Sequence, residues 1–595
     1  MGLFKRIGAA VAGGIFLTSP AFATEVTFNI TTDLSDGLRE ALRGASLSRD
    51  IAKQDDTTSD TLLSAAQADY RRLIEVLYAR GYFGPVINIT VDGREAAAIP
   101  PFSPPENIDQ ITITINPGDR FRFGEVSIAP LAPDTELPDG FETGKPAQSL
   151  LIGDAVGAAI DAWRGDGHAK ATVNGQRVIA DHTRAVLNTD VTLAPGPRLN
   201  FGDLIVDGNS AVRSERIIEI AGLPTGQVFD PEEQSKAANR LRKTGAFRSV
   251  ALREEDNANA DGTLDITASL VDEKPRKFGF GAEVSSLEGL SLSAFWMHRN
   301  LLGGAERLRF DGAISGIAGD TGGVDSLLSA SFTRPATFGP DTSLSLLAEA
   351  EVLDEPDFYE NRIFLSAGLI REFRDSFHVG VGVGLRFTDI RDDFGERTIH
   401  QLTFPLFATL DERDDTLNPR AGYFADVDLE PFAALGDGGS GARIFADTRA
   451  YYALGDNAVL AGRAQIGSVL GAAAADVPPD MLFFSGGGGT VRGQPYQSLG
   501  VDLPSGDTVG GRSFVGLSAE IRYDISNSIS VVGFADTGFV GADSIPGQNG
   551  EWQSGAGLGV RYNTGIGPIR FDVAAPVGGS TGDGVQFYIG IGQAF

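Results

Sequence analysis

Residues 486–500 read GGGGTVRGQPYQSLG, a glycine run beside one cation, Arg492. The backbone N–H groups of such a run bind phosphate when a Lys-Ser/Thr pair and a helix follow the glycines. Neither follows here. A free linker is also disfavoured, because aromatic residues such as Phe483 and Tyr496 flank or interrupt the stretch. The remaining interpretation is a loop that enters a confined space.

Arg492 lies within residues 471–513, which show no convincing strand pattern. A loop this long in a compact domain is usually functional or disordered. If it folds back into the interior of a barrel, the guanidinium can meet Glu520 and Asp536, which occupy inward positions of the next two predicted strands. Removing one partner of such a partly dry pair costs roughly 3–5 kcal/mol. The alternative is that all three charges are separately solvated in a wide channel.

Other reactive arrangements are weak. Residues 578–582 match G-x-S-x-G but lie in a predicted turn with no helix behind it, unlike a hydrolase nucleophile. The five histidines are dispersed and there are no cysteines, so no metal-ligand spacing is present. We therefore expect no enzymatic activity, no metal and no cofactor.

Residues 276–595 alternate between apolar and polar residues and show almost no helical period. Sixteen runs of about ten residues can be placed, the length that a tilted strand needs to cross a bilayer. In Leu517–Asp524, for example, the odd positions are apolar and the even ones carry hydroxyls or charges. A soluble sandwich also alternates, but nothing else in the chain is available to cover sixteen apolar faces. The predicted fold is an all-β, sixteen-stranded transmembrane antiparallel barrel.

The last predicted strand, residues 585–595, places Phe587 and Phe595 on its apolar face and contains Gly590 and Gly592. Closing the barrel pairs this strand with the first one. Glycine weakens strand pairing, because it packs nothing and loses more entropy on ordering. Two interpretations stay open: the glycines relieve crowding on the interior side, or they mark a seam that opens.

Residues 1–23 have the form of a cleaved signal peptide. Lys5 and Arg6 precede a short apolar stretch, and Ala21-Phe22-Ala23 supplies the small residues that signal peptidase recognises. The apolar stretch is too short for a stable membrane span. We therefore expect an exported protein.

An internal repeat occupies the chain between the signal and the barrel. The sequence at 118–126 recurs at 196–204, and the helical patterns that end at Gly167 and Gly245 keep the same spacing. A third copy ends at Gly81, followed by a proline-rich insert. The prediction is three β-α-α-β-β modules over residues 24–117, 118–195 and 196–275, followed by the barrel over 276–595.

The formal net charge is −30, from 49 basic and 79 acidic residues. Nucleic-acid binding needs clustered cations, so a nucleic-acid partner is disfavoured. An exported chain without cysteines fits the periplasm or outer membrane of a Gram-negative bacterium, with the lipid bilayer as a partner.

Three motifs resemble those of the outer-membrane assembly superfamily that includes BamA, TamA and the two-partner secretion transporters. Val491-Arg492-Gly493 resembles the family's loop motif, and residues 534–538 resemble its F-x-D-x-G strand motif. The turn motif D-x-R-D…P-x-x-G is matched by Asp411, Arg413, Asp414, Pro419 and Gly422. The resemblance implies that Arg492 contacts Asp536 and Glu520. This chain departs from the family in having Gln494 where Tyr or Phe is usual, with Tyr496 two residues later.

The repeats resemble the family's POTRA modules, and three copies are typical of the TamA type. The resemblance implies a factor that helps insert or translocate autotransporters and other β-barrel proteins through POTRA docking and a seam between the first and last strands. It also implies an inner-membrane-anchored, TamB-like partner that docks on the first POTRA module. One alternative is a two-partner secretion transporter that exports a dedicated exoprotein. A passive channel is disfavoured, because a porin needs no periplasmic arm.

Overall fold

The computed structural model describes residues 24–54, 57–101, 103–285, 289–319, 322–565, 567–580 and 584–591, together with Gln593 and Phe595. The predicted signal peptide, residues 1–23, and Gly592 of the predicted seam strand lie outside the described residues. The chain divides into two compact units, and most of the third α/β module belongs to the second unit.

The first α/β module forms a four-stranded sheet in the order β1-β4-β2-β3, with β1 parallel to β4. Helix α3 covers this sheet, because its apolar residues, such as Leu73 and Leu77, pack on Ile89 and Ile113. The elements are β1 (Glu25–Ile30), α1 (Asp36–Ala45), α2 (Leu47–Ile51), α3 (Ser59–Ala79), β2 (Val86–Val91), β3 (Arg94–Glu95) and β4 (Gln110–Asn116).

The second module differs from the prediction, because it has one α-helix instead of two within residues 118–195, all of which are described. Residues 130–148, where the first helix was expected, contain four prolines, and proline removes a helical hydrogen bond and fixes φ. The strands form the order β5-β7-β6. The elements are β5 (Arg122–Ala129), α4 (Ser149–Gly165), β6 (Thr172–Asp181) and β7 (Val186–Ala194).

The third module has the predicted two helices and a sheet of order β8-β10-β9. Gly81, Gly167 and Gly245, which follow the three helices predicted to end there, all have positive φ, a conformation that glycine adopts without strain. The elements are β8 (Asn200–Asp207), α5 (Ser214–Ala221), α6 (Pro231–Lys243), β9 (Phe247–Glu254) and β10 (Thr263–Asp272).

The remaining chain forms one antiparallel, barrel-like sheet of seventeen described strands. In chain order they are β11 (Arg276–Ser285), β12 (Gly289–His298), β13 (Arg307–Ile317), β14 (Asp325–Arg334), β15 (Thr342–Glu355), β16 (Phe358–Arg374), β17 (Phe377–Asp392), β18 (Gly395–Thr403), β19 (Leu406–Asp411), β20 (Gly422–Ala434), β21 (Gly441–Leu454), β22 (Ala458–Leu470), β25 (Ser513–Asp524), β26 (Ile529–Gly541), β27 (Gly550–Thr564), β28 (Gly567–Gly578) and β29 (Gln586–Ile591). A separate two-stranded ribbon, β23 (Val501–Asp502) and β24 (Thr508–Val509), lies in the loop between β22 and β25.

The strand count exceeds the predicted sixteen because one position is divided between two strands. Strands β18 and β19 both pair with β17 and with β20. Pro405 separates them, and proline cannot donate a hydrogen bond to the ladder. The seventeen described strands therefore occupy sixteen positions.

The two faces of the sheet follow the predicted alternation. On β25, Leu517 is 45% exposed and Ile521 53% exposed, whereas Glu520 and Arg522 are buried. The outward face is thus apolar and the inward face carries charges, as expected for strands surrounded by lipid. Among the described residues, no helix is long and apolar enough to cross a bilayer.

The third module packs against the turns at one end of this sheet. Arg240 of α6 binds Asp341 in the turn between β14 and β15, with an Nε–Oδ1 distance of 2.6 Å. Lys243 binds Asp375 in the next such turn at 3.0 Å. Gly222 approaches Pro340 so closely that a β-carbon on the glycine would lie 2.4 Å from the proline ring.

Candidate functional site

The long loop between β22 and β25, residues 471–512, folds back onto the inward face of the sheet. The ring of Phe483 packs on the rings of Phe445 of β21 and Phe514 of β25, at centroid distances of 6.2 and 5.9 Å, and those two rings also contact each other. Hydrogen bonds between Ser485 and Leu499 tie the loop to itself. The loop is therefore a packed insertion rather than a linker.

Arg492 at the tip of this loop is 2% exposed and is surrounded by carboxylates. Its Nε and Nη2 donate to the two oxygens of Asp536 at 2.7 and 2.9 Å, and its Nη1 donates to Glu520 at 2.6 Å. The backbone N–H of Arg492 also donates to Asp536 at 3.1 Å. The ring of Phe534 lies under the guanidinium, 3.6 Å from its carbon. The three side chains singled out in the sequence lie together, and the separately solvated arrangement does not occur.

Three further charged residues, none of them predicted from the sequence, extend this cluster. Arg522 donates to Glu520 at 2.9 Å, and Arg561 is paired with Asp572. Asp572 lies 3.6 Å from Arg492. Three arginines and three carboxylates thus neutralise one another, which buried charges require. The alternation of apolar and polar residues along β25 could have indicated Arg522, because it places Arg522 on the same inward face as Glu520.

Small residues allow the loop tip to pack directly on the inward face of the sheet. A β-carbon on Gly493 would lie 2.7 Å from the backbone of Ala575, and one on Gly538 would lie 2.9 Å from the side chain of Val491, which is buried. The glycine of F-x-D-x-G therefore makes room for the valine of Val-Arg-Gly. The backbone N–H of Gly493 donates to the hydroxyl of Tyr588 on β29 at 3.0 Å.

Gln494, which replaces the aromatic residue usual in the family, also contacts the inward face of the sheet. Its buried side-chain amide donates to the carbonyls of Ser554 on β27 and Gly578 on β28, at 2.8 and 2.9 Å. The later aromatic residue, Tyr496, donates its hydroxyl to Glu355 at the end of β15, at 3.1 Å.

A second ion-paired anchor holds the same loop to other strands. Asp480 accepts hydrogen bonds from Arg362 of β16 and Arg386 of β17, and its backbone N–H donates to Glu360 at 3.2 Å. Arg443 of β21 donates to the carbonyl of Met481 at 3.1 Å. This anchor was not predicted from the sequence, although Asp480 is the only acidic residue between Asp476 and Asp502.

The turn motif closes the connection between β19 and β20. Asp411 and Arg413 form a two-point pair at 2.8 and 2.7 Å, and the Arg413 guanidinium lies 5.0 Å from the centre of the Phe424 ring. Asp414 caps the turn by accepting backbone N–H bonds from residues 415, 420 and 421. Pro419 is buried. Gly422 has φ +97°, and a β-carbon there would lie 2.0 Å from the carbonyl of Glu412.

The predicted seam strand is shorter than expected. Phe587 faces outward as predicted, and Gly590 faces inward, where a β-carbon would lie 3.1 Å from Arg570. The contact at Gly590 favours the relief of crowding. Phe595 was wrongly placed on the outward face, because β29 ends at Ile591 and Phe595 is buried with Tyr451.

Inward-facing groups hold this C-terminal end. Arg522 donates to the carbonyl of Phe595 at 3.3 Å, and Arg561 donates to the side chain of Gln593 at 3.1 Å. The continuing alternation in the sequence gave no sign of these contacts.

Residues 300–595 match the family model of the Omp85 superfamily domain. The chain belongs to the Omp85 superfamily. It is similar to outer membrane protein assembly factor BamA of Nitratidesulfovibrio vulgaris, with 25% identity over 467 residues, which cover 73% of this chain and 56% of that protein. It is also similar to the chloroplastic outer envelope protein 80 of Arabidopsis thaliana, with 24% identity over 400 residues, 60% of this chain and 52% of that protein. This Omp85 protein thus spans little more than half the length of these relatives.

The fold of this Omp85 protein is similar to a solved structure of BamA from Haemophilus ducreyi lacking POTRA domains 1-3. The TM-score is 0.62 at 18% sequence identity, and the match covers 79% of this chain and 98% of that one. Omp85 membership confirms the predicted outer-membrane location. The apolar outward face of the sheet is consistent with that location.

Proposed function

We propose that this Omp85 protein assembles other outer-membrane proteins, helping β-barrel proteins, autotransporters among them, to insert into or cross the membrane. The observation that carries the proposal is the buried pairing of Arg492 with Glu520 and Asp536. This pairing fixes the loop beside β28 and β29, the strands at one end of the sheet. The end strand of a sheet presents backbone groups to which an incoming strand can pair. A fixed loop keeps the neighbouring strands in register while that pairing occurs.

The proposal includes a closed sixteen-strand barrel over residues 276–595, with a seam between β11 and β29. The close approach of these two end strands supports it. It also includes cleavage of residues 1–23 and three POTRA modules over residues 24–117, 118–195 and 196–275. The three separate α/β sheets support that division.

The second module offers a place for incoming chains to dock. Strand β6 is an edge strand of ten residues, and the first eight are exposed. An extended peptide can add to such an edge through main-chain hydrogen bonds. We assign substrate capture to β6, followed by transfer to the seam. No enzymatic step or cofactor is involved.

The TamB-like partner on the first module belongs to this proposal through the family resemblance. The neighbouring reading frame distinguishes the choices. A gene for a large protein anchored in the inner membrane supports the TamA-type assignment, whereas one for a large exoprotein supports two-partner secretion.

Reconstitution tests the central claim. The full chain in lipid vesicles should accelerate the folding of a urea-unfolded β-barrel protein, followed by its heat-modifiable migration in gels. Arg492→Ala should lower that rate at least about tenfold, because it leaves two buried carboxylates underpaired, at a cost of roughly 3–5 kcal/mol. Arg492→Lys keeps the charge but cannot form the bidentate contact, so it should give a substrate-folding rate between those of the wild type and Arg492→Ala.

The matched control is Arg391→Ala, which removes an exposed arginine on the same sheet. Each variant is compared at equal amounts of inserted protein. Unchanged substrate folding with Arg492→Ala contradicts the anchor, and no acceleration by the wild type contradicts the assembly function.

A further inference from the structure

The ladder between β27 and β28 is interrupted where the loop tip reaches it. Ser554 pairs with Gly578, but the next residue, Gly555, pairs with Pro576, so Val577 is an extra residue on β28. Such a bulge locally disrupts the ladder. Pro576 also has no N–H to donate. This pair of strands is therefore weakest at the bulge.

Gln494 lies directly at this interruption. Its amide donates to the carbonyls of Ser554 and Gly578, the last pair before the register shifts. The two N–H bonds of one side-chain amide thus bridge β27 and β28. An aromatic residue, which the family usually has here, offers no such pair of donors.

The residue before Gln494 reaches the next strand. The backbone N–H of Gly493 donates to Tyr588, whose ring packs on Phe534 and Ala574. Phe534 in turn lies under the Arg492 guanidinium. Three consecutive residues, Arg492 to Gln494, therefore bind all five strands from β25 to β29. Within the described residues, the backbone ladder of β29 consists of six residue pairs with β28.

We infer that Gln494 and Gly493 form a clasp that couples the loop tip to the end strand, so that β29 separates from β28 only when the tip withdraws. The inference deepens the proposed function, on which its relevance to assembly rests. Gln494 acts as a positioning residue: it holds β27 and β28 under the tip, and the tip holds Tyr588. Separation of β29 from β28 and withdrawal of the loop tip are then one event.

Hydrogen exchange on the full chain in lipid nanodiscs tests the clasp without any substrate. Gln494→Met keeps the length and removes both donors, and Tyr588→Phe keeps the ring and removes the acceptor. Each variant should speed exchange about fivefold to tenfold at its own contact, the factor expected for losing one or two buried hydrogen bonds. The decisive readout is reciprocal. Gln494→Met should also speed exchange in β29, whose Tyr588 accepts from Gly493, and Tyr588→Phe should also speed exchange at Ser554–Gly555.

The controls are Gln497→Met, which removes an amide that donates within the loop to Tyr496, and Tyr562→Phe on the outward face of β27. Both should leave β29 at the wild-type rate. Faster exchange confined to the strand that each residue touches overturns the coupling. Because the readout needs no substrate, the clasp can fail while Arg492→Ala still impairs assembly, and the reverse is equally observable.

Discussion

A single arginine joins the loop to two strands because its guanidinium binds a carboxylate on each of them. Arg492 bonds Asp536 at two points and Glu520 at one, and Arg522 and Arg561 balance the remaining carboxylate charge. In such a cluster the loss of one partner leaves another charge buried and uncompensated. The cluster therefore specifies one position for the loop tip rather than a range of positions.

At the turn between β19 and β20, Asp414 gives a pH-dependent prediction. Partial burial opposes ionisation of this carboxyl, but the backbone N–H groups of Arg420, Ala421 and Asp415 lower its pKa. Its stabilising effect is therefore complete above the unfolded-state pKa of about 3.9 and is lost as pH falls through the lower folded-state pKa. Asp414→Asn should speed amide exchange in residues 412–422 severalfold at pH 7, for a loss of about 1 kcal/mol.

That difference from the wild type should shrink as the pH falls below the folded-state pKa, after correction for intrinsic exchange rates. Asp437→Asn, in the turn after β20, is the control. A difference that stays constant down to pH 2 rules out the carboxylate cap.

Most strands of the sheet could be predicted from the two-residue alternation of apolar and polar residues, because a strand with lipid on one side must place apolar side chains on that side. The predicted pairing of Arg492 with Asp536 and Glu520 came from a motif. Arg522, Arg561 and Asp572 could not be assigned, since their pairing depends on how the sheet curves around the loop. The break at Pro405 was readable from the missing N–H, and the single helix of the second module from its prolines. The inward position of Phe595 could not be predicted from the sequence, because its partners lie on the distant strands β21, β22 and β25.

Strand β6 gives a prediction for one element. A photo-crosslinking residue at Val173 or Ile179, both exposed on β6, should capture an unfolded β-barrel substrate. The same residue at Leu150, exposed on α4 of the same module, should capture severalfold less. Mass spectrometry of the adducts measures the ratio. Equal capture at the helix and the strand rules out docking by strand addition.

Within the second unit, ion pairs hold the third module against the turns of the sheet. Arg240→Glu should loosen this contact, because the new carboxylate faces Asp341. The double variant Arg240→Glu/Asp341→Arg should recover most of the protease resistance that the single variant loses, since the two charges are exchanged rather than removed. Protease cleavage near residues 273–276 measures the loosening. If the double variant is cleaved as fast as the single ones, the ion pair does not hold the module.

The clasp and the ion cluster also impose an order on synthesis. Arg492 is made before every carboxylate that binds it, and Tyr588 lies 95 residues after Gly493. During translation and export the loop tip therefore has no binding site to enter, although the anchor of Asp480 on earlier strands already exists. The tip can bind only when the last strands have been delivered, so the interior of this protein is completed from its C-terminal end.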